Sequence, residues 1–386
     1  MNGWRVEFDL PAGSGVGSYW DALLTTNGQH FTFTNRDYNG SIASGASVSC
    51  GFIGSGSGTP ANCKLNGGSC AGGTVPPPTT PPTTSPPPPP PPGGSAGAAP
   101  YLYFDWGSPP APATVMSATG IKSFTLAFVL SSGGCVPAWD GSRPLTGGVD
   151  ASNIAAIRSR GGDVIPSLGG WSGNKLGPNC STPQALANAY QQVINAYSLK
   201  AIDIDIENSD EFENEAVQDR ILNALKIVKQ NNPGIKTIIT FGTSTTGPTY
   251  YGTRLINQSR ALGANIDAYT IMPFDFGVGA NMYQSTVNAA EGLRAALSNA
   301  FGWSADTAYR HMGISGMNGL SDQQELTSTQ TWTQIRDWAN SKHLTRLAFW
   351  SVNRDRGCAG GGVTAACSGI AQNDWDFTRI TAGFTG

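Results

Sequence analysis

The chain has 386 residues, long enough for two domains, one of them large. Only 13% of the residues are charged, about half the usual share, and the net charge is −3. That balance excludes the basic stripe of a nucleic-acid binder, and no apolar run approaches the ~18 residues of a membrane span. Seven cysteines form no CxxC pair and only three histidines are present, so neither a zinc site nor any other metal centre is indicated. Disulfides are the better use of these cysteines, and they predict a protein that works outside the cytosol. Fifty glycines and ten tryptophans suit a molecule that meets a neutral ligand through loops and aromatic faces.

The opening residues, Met1 to Phe8, lack the build of a secretory signal and alternate like a strand. The chain is therefore expected to begin inside a domain, as a partial sequence. Short alternating strands are predicted at Trp4–Leu10, His30–Asn35 and Ala46–Ile53, separated by Gly, Ser and Asn turns. They read as part of a small all-β sandwich over residues 1–70. Residues 71–100 form a Pro/Thr/Gly-rich linker with seven consecutive prolines, Pro86 to Pro92. Such a segment cannot build a core and is expected to run as extended polyproline, a semi-rigid spacer.

From residue 101 to 386 the pattern changes to strand, helix, strand, helix. Eight strands are predicted: Tyr101–Trp106, Phe124–Leu130, Asp163–Leu168, Ala201–Glu207, Thr237–Phe241, Tyr269–Phe274, His311–Ser315 and Arg346–Ser351. Helical patterns lie between most of them, for example Pro183–Leu199, Glu211–Asn231, Thr286–Ala300 and Thr331–Ser341. Eight βα units of this total size predict a TIM (β/α)8 barrel of the α/β class. A doubly wound open sheet is the alternative, weakened because no Gly-rich phosphate loop follows the first strand.

The segment richest in chemistry is Lys200-Ala201-Ile202-Asp203-Ile204-Asp205-Ile206-Glu207-Asn208. Side chains alternate along a strand, so Asp203, Asp205 and Glu207 share one face and three isoleucines share the other. In a barrel the isoleucines pack under the helices and the carboxyl groups point inward. Glu207 then ends the strand at the C-terminal rim, where barrel enzymes keep their chemistry. Carboxyl groups this close and this buried must share protons, which raises some of their pKa values. A carboxylic acid still protonated near neutral pH is what general acid catalysis needs. An exposed acidic edge strand is the bland alternative, and the isoleucine face argues against it. A cation site is another, but one strand sets the carboxyl groups in a row rather than around an ion.

These residues resemble the fourth-strand signature of glycoside hydrolase family 18, the chitinases: Asp-x-x-Asp-x-Asp-x-Glu is matched at Asp203, Asp205 and Glu207, with Lys200 departing at the first position. Three more motifs of that family fall in order. Ser167-Leu168-Gly169-Gly170 lies on the third strand, followed by Trp171. Met272 and Asp275 match the sixth-strand motif, with Phe274 where the family has tyrosine. Trp350 closes the eighth strand. The resemblance implies hydrolysis of β-1,4 bonds between N-acetylglucosamine units by a substrate-assisted retaining mechanism, with no cofactor. Glu207 is then the proton donor, Asp205 orients the substrate's acetamido group, and Asp203 shares a proton with Asp205. Trp350 forms the floor under the sugar, and Met272, Phe274 and Asp275 line the site. Trp106, Trp139, Trp171 and Tyr251 are candidates for stacking on sugar rings, each also readable as an ordinary core or rim aromatic. The segment Gly316 to Gln330 leaves no room for an extra domain, which favours endo action. The rival readings are an endo-β-N-acetylglucosaminidase acting on N-glycans, a non-catalytic chitin lectin and a cellulase.

Residues 1–70 resemble the second half of a family 2 carbohydrate-binding module, through Gly3-Trp4-Arg5-Val6-Glu7-Phe8, Ser18-Tyr19-Trp20 and Asn35-Arg36-Asp37-Tyr38-Asn39-Gly40. The resemblance makes Trp20 and Tyr38 exposed binding aromatics and Trp4 a core residue, with chitin or cellulose as the polymer bound. A working binding face and a poorly folding remnant both remain open. The expected partners are chitin and chito-oligosaccharides, with no nucleic acid and no membrane, for a secreted monomer. Disulfides are expected at Cys135–Cys180, Cys358–Cys367 and Cys50–Cys63. Cys70 is left free, because the family's partner for it lies in strands this chain lacks.

Overall fold

The computed structural model describes residues 2–36, 39–42, 48, 50–56, 59–70, 97–358 and 363–386. The chain divides into two compact units, Met1–Ser85 and Pro86–Gly386. The proline run and the rest of residues 71–96 lie outside the described residues, as do Ala46, Ser47 and Ser49 of the third expected front strand.

In the first unit, five antiparallel strands form one sheet, in the order Leu23–Asn27, His30–Thr34, Arg5–Asp9, Ala61–Leu65 and Gly68–Ser69. A second antiparallel pair joins Gly15–Trp20 to Gly51–Ser55. Inward-facing aromatics knit the two together: Phe52 of the pair lies 5.2 Å from Phe8 and 5.7 Å from Phe33 of the sheet. Trp4 is buried, as expected, and its indole N–H donates to the Asn39 carbonyl at 3.0 Å.

One disulfide differs from expectation. Cys63 is bonded to Cys70, and Cys50 is the free thiol. Cys63 sits on Ala61–Leu65, which turns back at once into Gly68–Ser69, with Leu65 paired to Gly68. That tight hairpin brings the two Cα atoms within 5.3 Å, so Cys70 finds its partner within the same hairpin.

The second unit is a nearly closed parallel barrel. Its eight strands are Tyr101–Tyr103, Ser123–Ser131, Asp163–Gly169, Ala201–Ile206, Lys236–Gly242, Ala268–Met272, Met312–Met317 and Arg346–Trp350. Each pairs in parallel with the next, and a bridge from Ala98 to Leu347 joins the first strand's approach to the eighth. The barrel therefore begins at residues 97–100, a few positions ahead of the boundary read from composition. All eight predicted strands are present, within a few residues at their ends. Among the described residues five helices open on side-chain caps, at Thr182, Asn214, Asn281, Ser304 and Ser328, which satisfy first-turn amides. Among the described residues no helix is long and apolar enough to cross a membrane.

Strand periodicity sorts the side chains. Ile202, Ile204 and Ile206 point outward into the layer of helices and are fully buried there. Inside, Ala99, Ile165, Ile238 and Ala268 plug one layer. Tyr101, Ala127 and Ala348 fill another, against Phe128 and Trp350. A polar group buried between these layers must find its partners within the protein.

Candidate active site

Glu207 has extended backbone (φ −134°, ψ 163°), so the alternation of the fourth strand carries one residue past its end. Asp203, Asp205 and Glu207 therefore share the inner face. Asp203 is the deepest. It accepts hydrogen bonds from the hydroxyls of Tyr101 (2.7 Å), Ser167 (2.7 Å) and Thr240 (2.7 Å), one each from the first, third and fifth strands. No described hydrogen bond joins Asp203 to Asp205; the influence between them is electrostatic, since the charge of Asp203 helps raise its neighbour.

Asp205 is 3% exposed, and its Oδ1 is buried with no partner in the protein. Burial, then the charges of Glu207, Asp203 and Glu211, push its carboxyl well above the usual range, against the pull of Lys175. Glu207 stands at the mouth of a cavity of about 760 Å³. Burial pushes its carboxyl up to about 7; Lys175 opposes that rise and Asp275 adds to it. Near neutral pH the group is poised to give up a proton.

Gly169, in the Ser-Leu-Gly-Gly motif, has φ +115°. A Cβ there would collide with the Asp205 carbonyl oxygen and reach 3.3 Å from the Glu211 carboxyl, so the motif lets the third strand close on the fourth.

The floor of the cavity is aromatic. Trp350 stacks on Phe128 (centroids 5.6 Å apart, planes at 12°) and lies 5.4 Å from Trp106 and 5.9 Å from Tyr101. Trp106, Trp171, Met272, Phe274, Asp275 and Trp350 all line the cavity. Trp171 stands 69% exposed at the rim. Asp275 is held by a feature that the sequence reading passed over. Buried Glu325, on a hairpin of Gly319–Leu320 and Leu326–Thr327, accepts the main-chain N–H groups of Asp275 (2.5 Å) and Gly277 (3.1 Å).

Two of the four stacking candidates lie away from the cavity. Tyr251 does not reach the cavity: it opens the helix Tyr250–Leu262 and packs against Phe212 and Tyr250. Trp139 is a fully buried core residue whose indole N–H donates to the Tyr197 hydroxyl at 2.8 Å. Tyr38 lies outside the described residues, and Trp20 sits on Gly15–Trp20 with its side chain outside them as well. The residues missed are Tyr101, Thr240, Phe128, Lys175, Glu211 and Glu325. Tyr101 and Thr240 had a signal, since they occupy inward positions of their strands at the level of the carboxyl row. The loop residues had none.

Two disulfides brace the loops around the mouth. Cys135–Cys180 ties the segment after the second strand to that after the third, and Cys358–Cys367 closes a loop whose Val363, Thr364 and Ala365 line the cavity. Arg354, 1% exposed, secures that loop by donating to the Thr364 carbonyl (2.9 Å) and to the Leu320 carbonyl (2.6 Å). Among the described residues no group of three or more His, Cys, Asp or Glu is arranged to hold a metal ion.

Fold and site together define a (β/α)8 barrel with a row of carboxyl groups on the inner face of its fourth strand, preceded by a small all-β unit. Residues 1–70 match the family model described as "Cellulose binding domain". Over 72 residues, 19% of this chain, the front is 57% identical to "Chitinase C" of Streptomyces lividans, covering 12% of that protein. The barrel is 25% identical to "Endochitinase 11" of Metarhizium anisopliae over 275 residues, 67% of this chain and 52% of the relative. The chain thus spans about an eighth to a half of the length of these relatives. Among solved structures, the catalytic domain of a hyperthermophilic chitinase from Pyrococcus furiosus superposes with a TM-score of 0.68 at 29% identity, covering 74% of this chain and 93% of that one.

Proposed function

We propose that this chain hydrolyses β-1,4 bonds between N-acetylglucosamine units of chitin, cutting within the polymer, by a retaining mechanism in which the substrate supplies the nucleophile. The observation that carries this reading is the inner-face row of the fourth strand. There a carboxyl group raised to about 7 meets a cavity floored by Trp350, and one position below it a buried Asp205 oxygen has no protein partner.

Glu207 donates its proton to the glycosidic oxygen as the bond to the anomeric carbon breaks. The acetamido oxygen of the same sugar attacks that carbon and closes an oxazolinium ring. The free oxygen of Asp205 receives the acetamido N–H and steadies the positive charge that develops there, the kind of contact worth ~10²–10³ in rate. Asp203, pinned by three hydroxyl donors, supports Asp205 from below. Water then opens the ring with Glu207 acting as base, and two inversions restore the β configuration. The short hairpin after the seventh strand and the exposed Trp171 rim support a cleft open enough for internal cleavage. The front module is proposed to hold the solid polymer, chitin first and cellulose second. The three disulfides support work outside the cytosol.

Product analysis tests the assignment. Incubation with a chitin hexamer is expected to release dimers to tetramers from the start. Release of monomer alone contradicts endo action, and cleavage of an N-glycan core with the hexamer left intact contradicts the substrate.

A further inference from the structure

We infer that Lys175 is a positioning residue for the general acid, fixing the backbone of Glu207 and acting on its carboxyl group from a neighbouring loop. The inference rests on the reading of Glu207 as that acid.

The Lys175 side chain is 1% exposed, unusual for a lysine unless it is paired. Its ammonium donates to the main-chain carbonyl of Glu207 at 3.1 Å and to Asp210 Oδ1 at 3.0 Å. Lys175 comes from the segment after the third strand, just ahead of the short helix Leu176–Asn179. Its partners lie on the next strand's exit, where Glu207 runs into the single π-turn Asn208–Phe212. One lysine thus pins the acid's own peptide from a neighbouring loop.

The surrounding charges give it a second task. Asp205 lies on the same strand, Asp210 and Glu211 on the π-turn, and Asp275 after the sixth strand. Lys175 is the cation that lowers Asp205, Glu207 and Glu211 alike. Glu211 marks how tightly this cluster is built. It is 2% exposed, its Oε2 has no partner, and a Cβ on Gly177 would collide with its other oxygen. Burial pushes Glu211 up to about 8, against the pull of Lys175. A buried ammonium this close to a carboxyl group counters the rise that burial alone imposes.

The test uses the full chain and the pH dependence of kcat/KM on a chitin hexamer, whose alkaline limb reports loss of the acid's proton. Removing the positive charge raises the acid's pKa, so Lys175→Met is expected to move that limb upward by about one pH unit. It should also lower kcat by roughly tenfold with KM little changed, because a loosened Glu207 loses transition-state contact rather than binding. Lys175→Arg should return the limb toward the wild-type position. Asp210→Asn, at a half-exposed partner and so safe for the fold, should move the limb the other way, downward, because the ammonium is then less neutralised. Limbs for Lys175→Met and Asp210→Asn that both coincide with the wild type overturn the inference, as does a Lys175→Met limb that moves downward. If Lys175→Met does not fold, the Asp210→Asn limb decides alone. A wild type that leaves the hexamer uncut overturns instead the reading of Glu207, a separate result seen before any variant is made.

Discussion

At Glu207 two properties meet in one side chain: a place at the mouth of the barrel and a carboxyl group raised to about 7. Activity needs the protonated form, so it should fall as pH rises through about 7. Glu207→Gln keeps the shape and removes the proton, and turnover on chitin hexamer is expected to drop by at least ~10²–10⁴ while binding survives. Asp205→Asn should be comparably damaging, because an amide cannot stabilise the charge on the acetamido nitrogen. Glu211 allows a test of stability. Its folded pKa lies above the ordinary glutamate value, so folding favours its protonated form, and the wild type loses that advantage as pH climbs from about 4.5 to about 8. Glu211→Gln does not titrate. It should therefore be more stable than the wild type at pH 8, by roughly 4 kcal/mol, with the gap shrinking to about 1 kcal/mol at pH 5. Equal gaps at both pH values would contradict the charge account. None of this was visible for Glu211 in the sequence, where it only opened the helix expected over Glu211–Asn231. The π-turn that buries it leaves no periodic trace.

Among elements, the strands were legible and the loops were not, for a physical reason. An inner strand alternates its faces strictly, so Ile202, Ile204 and Ile206 against Asp203, Asp205 and Glu207 announce both the barrel and its site. A loop has no period. Glu325, which grips the amides of Asp275 and Gly277, and Lys175, which grips Glu207, lie close in space to groups far away in the sequence. Tyr251 failed for the related reason that a helix start can turn an aromatic away from the rim as easily as toward it. In the first unit the family resemblance gave Cys70 a distant partner, and so overlooked the local hairpin that joins Cys63 to Cys70. Peptide mapping under non-reducing conditions is expected to recover Cys63 with Cys70 and to find Cys50 alkylated as a free thiol. Opening Cys135–Cys180 by a double serine substitution should cost roughly 2–4 kcal/mol, read as a lower midpoint in denaturant.

At the scale of the whole molecule, each unit has its own apolar core, Trp4, Phe8, Phe31 and Phe33 in one and the helix-covered barrel in the other. Deleting residues 1–96 is therefore expected to leave hydrolysis of soluble oligomers unchanged and to lower the rate on insoluble chitin, since flat aromatic rings stack on flat sugar faces. Equal losses on both substrates would mean that the module supports the barrel's fold. The central claim is that the nucleophile belongs to the substrate, with Glu207 acting first as the acid and then as the base. Proton NMR of fresh hydrolysate follows the anomeric signal before mutarotation blurs it. This account predicts the β anomer first, from two inversions at one carbon. The α anomer appearing first would contradict it, and with it the roles given to Asp205 and Glu207.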